Sequence, residues 1–279
     1  MKILVTGAKG QLGTDVMLRL GELGIDCVGA GHEDFDITDP EACDAFISSA
    51  APDVVIHCAA YTAVDRAESE RELCRKINVD GSGNVASACE KAGAACLYIS
   101  TDYVFGGDGE TPYEVNDGKN PVNFYGLTKL EGENAVLSSC SRCYIVRVSW
   151  IFGHHGANFV ETMLRLGASR GEVSVVNDQI GSPTFTEDLA KTVCEIAVSG
   201  RYGVYHATNE GFCSWAEFAA EIMKEAGLDC RVKPIPSSEY PTAAARPKNS
   251  RLSKAFLDEA GVERLPSWQD ALRRYIAER

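Results

Sequence analysis

Short runs of consecutive apolar residues alternate with segments of helical period along the first half of the chain. Lys2–Thr6, Cys27–Gly31, Val54–Cys58, Ala95–Ser100 and Tyr144–Ser149 read as strands. These runs are continuously apolar rather than alternating, which suits a parallel sheet covered on both faces. Helical segments lie between them, among them Asp65–Val79 and Val85–Lys91. Asp39 followed by Pro40 places a capping residue before a proline at the first helical position.

Beyond Ser149 the rhythm loosens, glycines and prolines become more frequent, and helical patterns dominate. Thr186 is placed to cap a helix with Glu187 and Asp188 in its first turn. Ser214-Trp215-Ala216-Glu217 has the spacing of a capping box before Phe218–Ala226. Pro234 to Pro247 reads as a long irregular loop, a kind that is often functional. Together the patterns predict an α/β fold. Residues 1–149 form a Rossmann-type doubly wound parallel sheet. Residues 150–279 form a smaller, mainly helical C-terminal substrate domain, with some segments returning to the sheet. No internal repeat or low-complexity tract is present.

Charge narrows the partners. Twenty-seven basic and forty acidic residues leave a net charge of −13. That argues against a nucleic acid or an anionic membrane as partner, while leaving room for a local basic pocket around a small anion. The eleven cysteines are odd in number and sit in apolar segments such as Ile56-His57-Cys58-Ala59. Free buried thiols in a reducing cytoplasm are the simpler reading. Cys140-Ser141-Arg142-Cys143 has no second ligand pair near it, and neither it nor His154-His155 is assigned a metal. Ile3-Leu4-Val5 is too short for a signal core, and no run approaches the ~18 apolar residues of a membrane span. The expected location is the cytoplasm.

The first strand ends in Thr6-Gly7-Ala8-Lys9-Gly10-Gln11-Leu12-Gly13 and a helical segment follows. The glycines let the backbone turn tightly against a pyrophosphate, and the helix N-terminus supplies N–H donors. The spacing is G-x-x-G-x-x-G, and a plain tight turn is the alternative. Position favours dinucleotide binding by Gly7, Gly10, Gln11, Leu12 and Gly13. The second strand ends in Ala30-Gly31-His32-Glu33-Asp34, with neither an acid nor an arginine immediately at its end. His32 and Lys9 are candidates to approach a 2′-phosphate. Asp36, Ile37, Ala59 and Ala60, at later loop and strand ends, are candidate adenine and ribose neighbours. The cofactor is expected to be NADPH or NADH, with NADPH slightly favoured.

Tyr125 and Lys129 stand four residues apart, one helical turn, so their side chains share a face. A phenol of pKa near ~10 is a poor acid–base group at neutral pH, and a neighbouring ammonium is expected to lower it. Such a pair can protonate the oxygen of a ketone that receives a hydride. Thr101 follows the fourth strand, at the sheet edge where α/β folds bind ligands.

With these residues in view, the chain resembles the extended short-chain dehydrogenase/reductases and, within them, the dTDP-4-dehydrorhamnose reductase family. The resemblance rests on the glycine loop, Ala59-Ala60-Tyr61-Thr62-Ala63-Val64-Asp65, Ile77-Asn78-Val79-Asp80-Gly81 and Ser100-Thr101-Asp102-Tyr103-Val104-Phe105. It continues through Tyr125 to Lys129, Ser149-Trp150, Asp178-Gln179-Ile180-Gly181-Ser182-Pro183-Thr184, Tyr240-Pro241-Thr242 and Arg246-Pro247-Lys248-Asn249-Ser250-Arg251-Leu252. It implies NAD(P)H-dependent reduction of the C4 ketone of a dTDP-linked 6-deoxy sugar. Tyr125 is then the proton donor, Lys129 its activator and nicotinamide-ribose ligand, and Thr101 the tuning hydroxyl. Thr62 and Asn78 join the cofactor residues, with Asn78 on the lysine side. Thr101, Asp102, Tyr103 and Trp150 would contact the sugar nucleotide. Many relatives carry arginine where His32 stands. Some relatives dimerise around magnesium; Asp15 and Glu187 are the acids in question, surface acids being the plainer reading. The oligomeric state is expected to be monomer or homodimer. Two other readings compete: a nucleotide-sugar epimerase or dehydratase, and a catalytically silent regulatory subunit of the methionine adenosyltransferase beta type. Dehydratases carry a Thr-Asp-Glu acid pair where this chain has Thr101-Asp102-Tyr103.

Overall fold

Alternate residues of each apolar run face opposite ways, and both ways are inward. In the computed structural model, which describes residues 1–279, Ile3, Val5, Ile56, Leu97 and Val146 join one core, and Leu4, Val55, Cys96 and Ile145 join another. The two cores lie on the two faces of one sheet, which explains why the runs are apolar without alternation.

The first half runs β1 (Lys2–Thr6), α1 (Gln11–Glu22), β2 (Asp26–Ala30), α2 (Pro40–Ala50), β3 (Val54–His57), α3 (Val64–Ala67) and α4 (Arg71–Arg75). A π-helical turn at Lys76–Gly81 leads into α5 (Ser82–Ala92), β4 (Ala95–Thr101), α6 (Phe124–Ser139) and β5 (Cys143–Val148). The second half contributes β6 (Ile151–Phe152), α7 (Phe159–Gly167), β7 (Glu172–Val176), β8 (Ile180–Gly181), β9 (Thr184–Phe185) and α8 (Thr186–Val198). There follow β10 (Gly203–His206), β11 (Cys213–Ser214), α9 (Trp215–Glu225), β12 (Arg231–Ile235), α10 (Ala255–Ala260) and α11 (Trp268–Ala277).

The main sheet has the order β10-β5-β4-β3-β1-β2, and every pairing in it is parallel. The protein is thus α/β with a Rossmann-like central sheet. Segments after residue 150 do return to it: β10 pairs with β5, and Leu189 and Val193 of α8 enter the core that α1 shares. The rest of the second half has its own core, where Phe152, Phe185, Phe218 and Trp268 pack, and three two-stranded ribbons. All eleven cysteines are free. No helix is long and apolar enough to cross a membrane.

Local signals were honoured where nothing competed. Asp39 caps α2 by accepting from the Glu41 and Ala42 amides. Ser214 and Glu217 complete the capping box, and α9 therefore starts at Trp215, three residues before the expected Phe218. Four expectations are corrected. Asp65–Val79 is not one helix but α3, α4 and the start of the π-helical turn. Glu70, in the break, accepts from the Tyr61 hydroxyl at 2.6 Å, so a tertiary contact interrupts the helical period. Thr186 does not cap α8. It is the first helical residue, with Phe185 at the cap, and its hydroxyl faces Gly153. The loop from Pro234 begins inside β12, whose parallel pairing with β7 runs through Pro234 to Ile235. A ribbon edge tolerates a residue without an N–H. The second and fifth strands start and end one residue earlier than expected.

Candidate active site

The strands β1 to β5 end along one side of a cleft of about 1110 Å³. At one end of it the backbone does the shaping. Gly7 has φ +65°, and a Cβ there would stand 2.7 Å from the Ala59 amide nitrogen. A Cβ on Gly13 would stand 2.1 Å from the Gly7 carbonyl oxygen. Both positions need glycine, and the cradle they leave fits a pyrophosphate. Gly10 is the N-cap of α1 and offers no side-chain cap, so the first N–H groups of the helix keep their donors.

Every residue assigned above to the cofactor lines this cleft except Asn78: Gly7, Gly10, Gln11, Leu12, Gly13, His32, Asp36, Ile37, Ala59, Ala60, Thr62, Tyr125 and Lys129. Asn78 lies outside the lining. Only 1% exposed, it accepts from the Tyr61 amide at 2.8 Å and donates to the Tyr61 carbonyl and to the Thr128 hydroxyl, both at 3.1 Å. It ties the loop after β3 to the helix that carries Lys129. The π-helical turn aims it inward. Glu33 was not anticipated at this end. It lines the cleft and pairs with Lys9, while His32 stands exposed on the lip.

The middle of the cleft holds Thr101, Asp102, Tyr125 and Lys129. Asn123 caps α6 by accepting from the Gly126 amide at 2.7 Å, which sets Tyr125 and Lys129 on the first two turns. Lys129 is only 2% exposed. Its ammonium donates to the Ile99 carbonyl at 2.7 Å and lies 3.9 Å from the centre of the Tyr98 ring. Burial brings its pKa down to about 7, against the pull of the Glu133 carboxylate one turn further along. Tyr125 meets Tyr103 edge-on, with ring centres 5.9 Å apart. The expectation of a lowered phenol pKa is corrected. Burial and the Asp102 carboxylate push Tyr125 above its ordinary value, and the Thr101 hydroxyl offsets them only in part. A phenol held neutral is the form that can donate a proton.

Thr101 ends β4 and donates to Asp102 Oδ1 at 2.8 Å. Asp102 is 3% exposed, and its Oδ2 has no hydrogen-bond partner. Burial raises this carboxyl to about 6, with the Ser250 and Thr101 hydroxyls partly offsetting it. The residue lines the cleft, and a carboxylate there is an acceptor suited to a ligand hydroxyl. Behind these groups lies an ion pair that the sequence did not announce. Arg147 grips Glu133 through two nitrogens at 2.8 and 2.7 Å, and Ser100 donates to Glu133 at 2.5 Å.

The far end of the cleft is aromatic. Trp150 lines it as expected, but in a left-handed backbone conformation, φ +48°. For a bulky residue that costs about 1–3 kcal/mol and marks a position held by its surroundings. Trp215 stacks on it at 3.7 Å and Phe159 packs against Trp215 at 4.6 Å. Neither was foreseen; the apolar positions of two helices carried no signal that singled them out. Outside the cleft, ligand atoms of His154, Glu187 and Glu278 lie within 4.8 Å of one another. Asp15 stands beside them, its Oδ1 3.6 Å from His155.

Comparison with known proteins accords with this geometry. The family model described as RmlD substrate binding domain matches residues 1–279. The spore coat polysaccharide biosynthesis protein SpsK of Bacillus subtilis is 41% identical over 278 residues, covering 100% of this chain and 98% of that protein. The dTDP-4-dehydrorhamnose reductase of Mycolicibacterium smegmatis is 42% identical over 280 residues, covering 99% of this chain and 85% of that one. A crystal structure of dTDP-4-dehydrorhamnose reductase from Bacillus anthracis in complex with NADP superposes with a TM-score of 0.97. It is 42% identical, and the match covers 100% of this chain and 99% of that one.

Proposed function

The chain belongs to the RmlD substrate binding domain family, and on that premise we propose that it reduces the C4 ketone of dTDP-4-dehydro-6-deoxy-L-mannose to give dTDP-L-rhamnose. It is an oxidoreductase that uses a nicotinamide cofactor. The observation that carries the reading is the single cleft in which a glycine cradle, the Tyr125–Lys129 face and the buried Asp102 carboxylate meet. Residues 1–149 hold the cofactor, and residues 150–279 hold mainly the sugar nucleotide.

When bound, the cofactor supplies a hydride to the ketone carbon. Tyr125 donates its proton to the ketone oxygen, and its raised pKa keeps it in the donor form. Lys129, when charged, stabilises the phenolate left behind. Thr101 and Asp102 hold the sugar hydroxyls beside Tyr125. NADPH and NADH are both accepted, NADPH somewhat better. Lys9 and His32 stand at the lip where a 2′-phosphate would lie, while Glu33 restrains Lys9. The His154, Glu187 and Glu278 trio includes an imidazole, a donor better suited to zinc or nickel than to magnesium. No step of the reduction uses it.

The reaction is tested by mixing the protein with NADPH and the dTDP-linked 4-keto sugar and following loss of nicotinamide absorbance. Turnover to dTDP-L-rhamnose is expected. Water elimination or epimerisation without net cofactor consumption would point to the dehydratase or epimerase reading. Tyr103, standing where dehydratases carry a glutamate, speaks against it. Binding without turnover would mark a silent subunit.

A further inference from the structure

Trp150 and Trp215 come from segments far apart in the chain, and their stacking is arranged by several features at once. The strand β8 leaves a gap for Trp150 at Gly181, where a Cβ would stand 2.7 Å from the indole. The same strand pairs antiparallel with β11, Cys213 opposite Gly181. Ser214 then caps α9 and delivers Trp215 as its first residue, flat against Trp150 with 12° between the rings. Phe159 closes the stack from the first turn of α7.

Other aromatic rings of this core, Phe152, Phe185 and Phe218, are 0–1% exposed. Trp150, Phe159 and Trp215 are only half-buried, and each lines the cleft. With Ala157 they make a wall beyond Asp102 that carries no charged side chain. A 6-deoxy sugar presents a methyl group on C5 where an ordinary hexose presents a hydroxymethyl. An apolar wall buries the methyl; a hydroxyl placed there would give up water for at most an indole N–H.

We propose that Trp215 is a specificity-determining residue whose ring, with Phe159, receives the C5 methyl group of the substrate sugar. This rests on the reading of the substrate as a dTDP-linked 6-deoxy sugar. A hydrophobic pocket discriminates one such group by roughly 10–200-fold.

The test measures calorimetric binding to the NADP-loaded protein of three probes: dTDP-L-rhamnose, the same nucleotide carrying L-lyxose, which lacks only the C5 methyl, and dTDP alone. The wild-type protein is expected to bind the rhamnose form at least tenfold more tightly than the lyxose form. Trp215→Ala should bring that ratio close to one while affinity for dTDP and for NADP stays, and Trp215→Phe should restore part of it. An unchanged ratio in Trp215→Ala overturns the proposal. So does an equal loss for all three probes, which would make Trp215 a platform for the base. If Trp215→Ala no longer binds NADP, the milder Trp215→Phe decides, and an unchanged ratio there overturns the proposal too. Failure of the wild-type protein to bind dTDP-L-rhamnose at all would instead sink the reading of the substrate itself.

Discussion

At the dinucleotide end of the cleft the wall is made by backbone drawn from neighbouring residues, Gly7 to Gly13, against one loop after β3. At the sugar end it is made by side chains from the end of β4 and the turn after it, from Trp150 two residues past β5, and from α7 and α9, brought together across most of the chain. The first is a local device. Its shape follows from the absence of Cβ atoms, and any nucleotide pyrophosphate satisfies it. The second is an assembly in which each ring is placed by another, so a change in one is felt by its neighbours. Under the proposed function, the comparison teaches that one end recognises a common group and the other carries selectivity. Tyr125 and Lys129 stand between.

The largest effect is expected where the two ends meet. Tyr125→Phe removes only the hydroxyl, so both ends should still bind. kcat should fall by at least ~100-fold, while NADPH titrated by fluorescence binds as before. Near-normal turnover would mean that another group supplies the proton.

Gly13→Ala is aimed at the backbone end alone. Its Cβ would collide with the Gly7 carbonyl oxygen, and overpacking of this kind costs about 1–3 kcal/mol. We expect a lower melting temperature and a KM for NADPH raised ~10-fold or more, with the affinity for the sugar nucleotide held. If both affinities fell together, the two ends would not be separable.

Asp102→Asn is aimed at the sugar end. A hydrogen bond to a charged group contributes about 1.5–3 kcal/mol, so KM for the sugar nucleotide should rise ~10-fold or more while that for NADPH holds. The pH profile sharpens the assignment. Asp102 ionises as pH rises through about 6, so kcat/KM of the wild-type protein should decline below that pH. Lys129 discharges as pH rises through about 7, so activity should decline above it. Asp102→Asn should lose the acid limb and keep the alkaline one. Retention of the acid limb would assign it to another group.

The smallest effect belongs to Trp150→Phe, which keeps an aromatic ring but gives up part of the stack with Trp215. Such contacts contribute about 0.5–1.5 kcal/mol beyond area. A rise of ~2–10-fold in KM for the sugar nucleotide is expected, with KM for NADPH unchanged. A drop in melting temperature with unchanged kinetics would make Trp150 a packing residue only.

What the sequence determined by itself is local. The apolar runs specify the five strands, since a run that is apolar at every position has to be covered on both faces. The spacing of Gly7, Gly10 and Gly13, the Asp39-Pro40 start and the Ser214–Glu217 box act within one turn of backbone, and each was legible. The four-residue step from Tyr125 to Lys129 is likewise a property of one helix. Only the tertiary structure decided the rest. It broke Asp65–Val79 at Glu70, which meets Tyr61, and tied Asn78 to Tyr61 and Thr128. It raised rather than lowered the Tyr125 pKa, because burial and the Asp102 carboxylate together outweigh the hydrogen bond from Thr101. It joined Glu133 to Arg147, and it set Trp215 on Trp150 from β-pairing between Gly181 and Cys213. Burial and contact between residues far apart in the chain depend on how whole elements pack, and no periodicity within a single segment encodes that.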